Sequence, residues 1–207
     1  MSAERAPKSA AVGPAAREES AAAPAWGLAS LTGRLAEVSG SRSAASLTLV
    51  FRLVVEAQRT GDTAVWIAAS GSTFFPPDAG DAGADLSALP VVWAAEAAEA
   101  GRAADLLLRS GGFGLVVLDL GAGRTLPPPA LTRLAGLAQR HGAALVLITE
   151  KDPAQASLGS LVSLRVQAAR VRREGDAFVC EALALKDKRH GPGWKHVEVC
   201  RGPDGLC

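Results

Sequence analysis

Two kinds of apolar pattern succeed one another along the chain: short continuous runs of strand length, and longer stretches with apolar residues at helical spacing. Residues 34–40, Arg-Leu-Ala-Glu-Val-Ser-Gly, read as a short strand stopping at Gly40. Between Ser43 and Thr60 the apolar positions Leu47, Val50, Phe51, Val54 and Val55 predict a helix, with Ser43 as its N-cap. Thr63 to Ala69 is a continuous apolar run, as expected of a strand covered on both faces. Phe74 to Leu89, rich in Pro, Gly and Asp, predicts a loop with one short helix. Val91 to Trp93 is a brief strand and Ala95 to Ser110 a helix, followed by a buried strand over Gly114–Asp119. Prolines open a helix over Pro127–His141, and Ala143 to Thr149 is another buried strand.

Strands alternating with helices predict βαβ units around a parallel sheet. Beyond them the pattern changes: Ser160–Arg173 and Asp176–Lys186 read as two strands joined by a turn at Arg173–Asp176, with His196–Cys200 as an added edge strand. Trp66 and Trp93 fall in predicted strands and are expected in the core. Trp26 and Trp194 fall in less regular segments and are expected at the surface, where tryptophans anchor interfaces.

Composition changes this picture at one end. Residues 1–24 are mostly Ala, Pro, Ser, Glu and Arg, too poor in large apolar side chains to offset their ordering entropy, so a disordered tail is expected before a single core domain over 25–207. The 207 residues, 48% hydrophobic and 21% charged, fit one globular domain with a sizeable core. A formal net charge of +1 gives no overall field that would recruit nucleic acid. The three cysteines, Cys180, Cys200 and Cys207, form no C-x-x-C pair, so free thiols are expected rather than a disulfide framework or zinc site. His141, His190 and His196 lack metal-ligand spacing. No signal peptide and no apolar run of about 20 residues stand out, so a cytoplasmic protein without a membrane span is expected.

The candidate chemistry lies after the first strand, where a glycine loop leading into a helix is the setting of a phosphate cradle. The pattern required is G-x-x-x-x-G-K-[ST]. The chain keeps Gly40, but places Ala45, Ser46 and Leu47 at the second glycine, the lysine and the magnesium-ligating hydroxyl. Ala45 adds a Cβ where backbone must approach phosphate, Ser46 removes the charge, and Leu47 has no oxygen for a hard cation. A strand–turn–helix that never bound phosphate fits the spacing equally well. A second cluster, Arg165, Arg170, Arg172 and Arg173 with Lys186, Lys188, Arg189 and Lys195, is either a face for phosphate or an acidic partner, or a solvated hairpin edge. No aromatic residues interleave the arginines, which weakens the case for stacking on single strands.

The order of these pieces resembles the RecA recombinase family over Gly33–Pro192. Gly33 to Gly40, with Leu47-Thr48-Leu49 beyond, is similar to the entry of its nucleotide loop. Leu115 to Asp119 resembles the Walker B strand with Asp119 retained, and Leu145 to Glu150 the strand that ends in the family's nucleotide-sensing glutamine. Ser70 stands near the position of the family's catalytic glutamate. Leu183 to Lys188 resembles its V-K-N-K segment, so Lys186 and Lys188 match lysines that reach nucleotide across a subunit interface. The resemblance implies a three-layer α/β core: a mainly parallel sheet, helices on both faces and a C-terminal antiparallel hairpin.

Where the sequence departs, the short segments Gly121–Pro129 and Lys151–Gly159 replace two DNA-binding loops, and no filament-linking helix and strand are recognisable. A core so reduced resembles the ImuA family, accessories of mutagenic translesion synthesis, and shares its degenerate form with SulA inhibitors of the division protein FtsZ. The ImuA resemblance implies a non-enzymatic adaptor without a cofactor or metal. Its implied partners are RecA, an ImuB-like Y-family polymerase homologue and, indirectly, an error-prone DNA polymerase III alpha-type subunit, with DNA binding weak or absent. A weak ATPase using Asp119, with Lys186 and Lys188 supplied in trans, and a SulA-like inhibitor are the competing expectations.

Overall fold

The structure, a computed structural model, describes residues 26–41, 45–174 and 177–201, without the side chains of 172–174 and 201. The tail over 1–24, Ser43, the loop it would cap and the tip of the Arg173–Asp176 turn lie outside the described residues.

The elements run α1 (Leu28–Leu31), β1 (Leu35–Gly40), α2 (Ser46–Arg59), β2 (Ala64–Ala69), α3 (Pro76–Asp81), β3 (Val91–Ala94), α4 (Ala97–Ser110), β4 (Leu115–Ala122), α5 (Pro128–His141), β5 (Ala144–Glu150), β6 (Leu164–Glu174), β7 (Ala177–Asp187) and β8 (Lys195–Arg201). The eight strands form one sheet in the order β3-β2-β4-β5-β1-β6-β7-β8. All pairings from β3 to β6 are parallel, whereas β6–β7 and β7–β8 are antiparallel. This is the three-layer α/β arrangement with a terminal hairpin.

The apolar strands need cover on both faces, and the helices supply it. Ala64, Trp66, Leu115, Val117, Ala144 and Val146 point to one side, against Leu49, Phe51, Leu53 and Val54 of α2. Val65, Ile67, Val116, Leu118, Leu145 and Leu147 point to the other, against Ala104 and Leu108 of α4 and Leu131 and Leu134 of α5. Trp66 is fully buried as expected, but Trp93 is 64% exposed, because β3 is the edge strand among the described residues and Trp93 points to the face away from α4. Trp26, expected at the surface, is buried under α2, where its Nε1–H donates to Leu49 O (3.2 Å).

The helical cover stops at β1 and β6 on the α4–α5 side, and there the inward residues turn polar. Glu37 and Ser39 of β1 and Arg165 of β6 are buried beneath the segment between β5 and β6. Glu37 accepts from Thr149 Oγ1 (3.0 Å), Ser157 Oγ (2.9 Å) and the Leu158 amide (2.9 Å), and pairs with Lys151 Nζ (3.0 Å). Arg165 donates to the carbonyls of Gln155 and Asp152 and to Ser39 Oγ. Burial pushes the Glu37 carboxyl up, but the Leu158 amide, Lys151 and Ser157 together hold it below the usual carboxylate range.

A second buried pair ties the first strand to the hairpin. Arg34, just before β1, meets Asp187 at the end of β7 (2.6 Å), both side chains almost wholly enclosed. Asp187 also receives the Arg189 amide (2.9 Å), Trp194 Nε1–H (3.1 Å) and the His190 ring (3.1 Å). Burial opposes its charge, yet the Arg189 amide, Arg34, His190 and Trp194 lower its pKa from 3.8 to about 2. Trp194, expected exposed, is therefore half-buried and hydrogen-bonded.

Removing one partner of such a pair leaves the other charge buried and unpaired, so Asp187→Asn is expected to cost about 3–5 kcal/mol at neutral pH, measured by denaturant unfolding. Because the folded-state pKa is depressed, the pair's contribution is complete above pH 3.8 and is lost as pH falls toward about 2. The gap between the native chain and Asp187→Asn should accordingly narrow in that window.

Candidate functional site

Parallel strands deliver their carboxyl ends to one edge of the sheet, where open α/β folds place their ligands. In register, Gly40 ends β1 beside Glu150 at the end of β5, and Ala122 of β4 lies on the other side of Glu150. The central strands thus converge on the loop that leads from Gly40 into α2. The resulting cavity, of about 90 Å³, is bordered among the described residues by Gly40, Ser46, Leu47, Asp119, Thr149 and Glu150, and by the turn after β2 at Gly71 and Thr73. All the residues singled out for a nucleotide loop, Walker B strand and sensor position are therefore brought to one place, apart from Ala45, which packs into the core.

Asp119 sits at a β-bulge, where the pairing of β4 with β5 shifts between Asp119 and Ala122. Its Oδ2 accepts from Ser72 Oγ (2.5 Å) and its Oδ1 from the Gly121 amide (3.1 Å). Gly121 has φ +70°, and a Cβ there would lie 2.7 Å from the Gly71 carbonyl carbon, so the close approach of the two turns requires glycine. Burial raises the Asp119 pKa above its ordinary value, against the Ser72 and Gly121 hydrogen bonds. The catalytic-glutamate position, near Ser70, carries a carbonyl bound by the Arg124 guanidinium.

The described residues at the cavity do not fit a magnesium nucleotide. Two carboxylates, Asp119 and Glu150, face the cavity, and no lysine or arginine borders it among the described residues. Leu47 puts hydrocarbon where a hard cation requires oxygen. The enclosed volume is also far below the roughly 300–1,000 Å³ of pockets that hold drug-sized ligands. Among the described residues, no group of three or more His, Cys, Asp or Glu side chains is arranged to hold a metal ion, and no helix is long and apolar enough to cross a membrane.

The basic residues lie elsewhere. Lys186 donates to the carbonyls of Gly159 (3.1 Å) and Ser160 (3.5 Å), and burial, with Lys188 beside it, holds its ammonium below the usual lysine range. Lys188 is exposed, and Arg170 lies over the Phe178 ring at 4.3 Å. The side chains of Arg172 and Arg173 lie outside the described residues. Glu37 and Ser72 were not singled out in the sequence. A charge inside an apolar strand signals Glu37, whereas nothing local connects Ser72 to Asp119.

A second concavity, of about 430 Å³, lies between α4 and α5, bordered by Gly101, Arg102, Leu106, Leu126, Ala130 and Leu134. Leu106 is 65% exposed on its rim, and Asp105 there binds both Arg109 and Arg133. No sequence motif marks this groove, because it is made by two helices separated by β4.

With its folded-state pKa raised, Asp119 stabilises the fold when protonated and loses that advantage as pH rises through the folded pKa. Asp119→Asn, which retains hydrogen-bonding groups toward Ser72 and Gly121, should leave stability at neutral pH unchanged or increase it by about 1 kcal/mol, as read by thermal unfolding.

Comparison with known proteins places this geometry. The model of the RecA N-terminal domain family matches residues 18–133. Protein RecA of Clavibacter michiganensis subsp. michiganensis is 37% identical over 87 residues, a match covering 42% of this chain and 24% of that relative. The match thus spans about a quarter of the relative's length. With the family model covering more than half the sequence, and with the sheet and hairpin described above, the chain belongs to the RecA N-terminal domain family.

Proposed function

We propose that this chain is a RecA-like adaptor without a nucleotide cycle of its own, similar to ImuA, acting through protein contacts in error-prone translesion DNA synthesis. The observation that carries this reading is the nucleotide position itself: a small cavity facing two carboxylates, with Ser46 and Leu47 where charge and metal ligand would be needed. A triphosphate brought there would meet repulsion that no described lining residue offsets.

Partner binding is supported by the opposite property elsewhere. Among the described residues strand β3 pairs only with β2, so one row of its backbone groups meets no described strand and could take another, and Trp93 stands exposed on it next to Phe74 (ring centroids 6.1 Å). Helix α4, which follows β3, forms one wall of the apolar groove. The edge suits an extended segment that adds a strand beside Trp93, on the face opposite α4, and the exposed Leu106 of the α4–α5 groove offers a separate apolar contact. In this reading RecA or an ImuB-like polymerase homologue supplies that segment, and an error-prone polymerase III alpha-type subunit joins indirectly. Docking on RecA would limit its filaments. The segment between β5 and β6, pinned by Glu37 and Arg165, offers no free loop to follow DNA.

Retention of Asp119 favours a weak ATPase as the second reading. Against it, Lys186 is engaged within its own chain. Calorimetric titration separates the two: the adaptor reading expects no saturable Mg-ATP binding at millimolar nucleotide, whereas saturation would support the ATPase.

The protein reading is tested by capture of purified RecA, ImuB-like protein and FtsZ on the immobilised chain without nucleotide. RecA or the ImuB-like protein should be retained, and Leu106→Asp or Trp93→Ser should weaken retention at least about tenfold with the melting temperature preserved, as expected for loss of an apolar anchor. Capture of FtsZ alone would replace this reading with a SulA-like division inhibitor.

A further inference from the structure

Cys180 and Cys200 occupy neighbouring antiparallel strands. The β7–β8 register pairs Phe178 with Cys200 and Cys180 with Glu198, so the two cysteines are diagonal neighbours. Both point to the α2 side of the sheet and both are buried free thiols, hydrogen-bonded to each other. Buried cysteines surrounded only by hydrocarbon are inert. These two are not so surrounded. Arg52 of α2 reaches Cys200 and pairs with Glu198 (3.5 Å), Glu198 meets His196 (2.6 Å), and Arg170 of β6 acts on Cys180.

We propose that Cys180 and Cys200 are a hydroperoxide-oxidisable dithiol, with Cys200 the attacking thiolate and Cys180 the resolving thiol. The proposal is independent of the adaptor reading. The Cys180 hydrogen bond and the Arg52 guanidinium lower the Cys200 pKa from 9.0 to about 7, against burial and the Glu198 carboxylate. The same hydrogen bond, with burial, pushes the Cys180 thiol up, so the pair is divided into one nucleophile and one proton-bearing partner. The Arg52 guanidinium beside Cys200 thus favours its thiolate more than in an ordinary cysteine.

The chemistry balances in two steps. The Cys200 thiolate attacks one peroxide oxygen, breaking the O–O bond to give a sulfenic acid and hydroxide or alkoxide. The Cys180 sulfur then attacks the sulfenic sulfur, forming the S–S bond. The sulfenic oxygen, which keeps its own hydrogen, leaves as water by taking up the Cys180 proton, and the hydroxide or alkoxide released in the first step takes a proton from solvent. Two thiols lose two electrons, and the hydroperoxide is reduced to water or an alcohol and water.

Access and closure both depend on the edge strand. Diagonal neighbours on antiparallel strands have Cα atoms about 7–8 Å apart, and a disulfide requires about 4.4–6.8 Å, so β8 must shift by roughly 1 Å. Among the described residues β8 pairs only with β7, and none of them forms an outer strand that would resist that shift or cover the sulfurs when it moves.

The test is oxidation of the reduced full-length chain by hydrogen peroxide at neutral pH, followed by alkylation in denaturant and peptide mapping. The expected product is two hydrogens lighter, joins Cys180 to Cys200 and is reversed by dithiothreitol. In Cys180→Ser, dimedone should trap a sulfenic acid on Cys200; in Cys200→Ser, neither adduct nor disulfide should form. Arg52→Ala should slow the reaction by roughly threefold to tenfold, since less thiolate is present. The proposal is overturned if both thiols stay reduced until the chain is unfolded in urea, or if the disulfide formed joins either of them to Cys207 instead.

Discussion

The structure depends on one requirement: the strands at the centre of the sheet must be hidden from water on both faces. Val65 and Trp66, or Val116 and Val117, point in opposite directions and are equally buried. A sheet of such strands is stable only between two layers, so α2 on one side and α4 with α5 on the other are a condition of the sheet's existence. The requirement also explains the polar interior of β1 and β6. Where α5 no longer reaches, the segment between β5 and β6 must serve as the cover, and it carries backbone polar groups. Glu37 and Arg165 satisfy those groups from beneath, which a leucine or valine would not do.

The same requirement separates the geometry of the site from its chemistry. Convergence of β1, β4 and β5 follows from strand order and register, which depend on backbone pairing and apolar packing. A phosphate cradle depends in addition on a few side chains that contribute little to that packing. Substituting them leaves the cavity in place and changes what can occupy it. Ala45 packs in the core and Asp119 is held by Ser72 and the Gly121 amide, so both positions have become parts of the fold.

What the layers leave uncovered lies at the two ends of the sheet. Strand β3, at the edge of the described sheet, presents an aromatic residue on the face opposite the groove between α4 and α5. Strand β8, at the other end, presents a charged edge over two thiols. The proposed docking edge and the proposed dithiol are therefore separated by the whole width of the sheet, and loss of one need not disturb the other.

Much of this was legible in the sequence. Strand and helix order and the parallel-then-antiparallel change follow from apolar periodicity and residue type, which are local, and the same reading places Gly40, Ser46 and Leu47 where β1 meets α2. The order also carried the RecA resemblance and the position of Asp119. Other features were decided only by the tertiary structure. Trp93 lies in a strand as expected, but which strand forms the edge depends on long-range pairing, and that left it exposed. Trp26 lies in an irregular segment that α2 buries. Lys186 could not be placed until the segment it binds was folded beside it. The groove between α4 and α5, the Ser72–Asp119 contact and the approach of Cys180 to Cys200 join residues far apart in the chain. Periodicity records which side of an element is apolar; it does not record what that side meets.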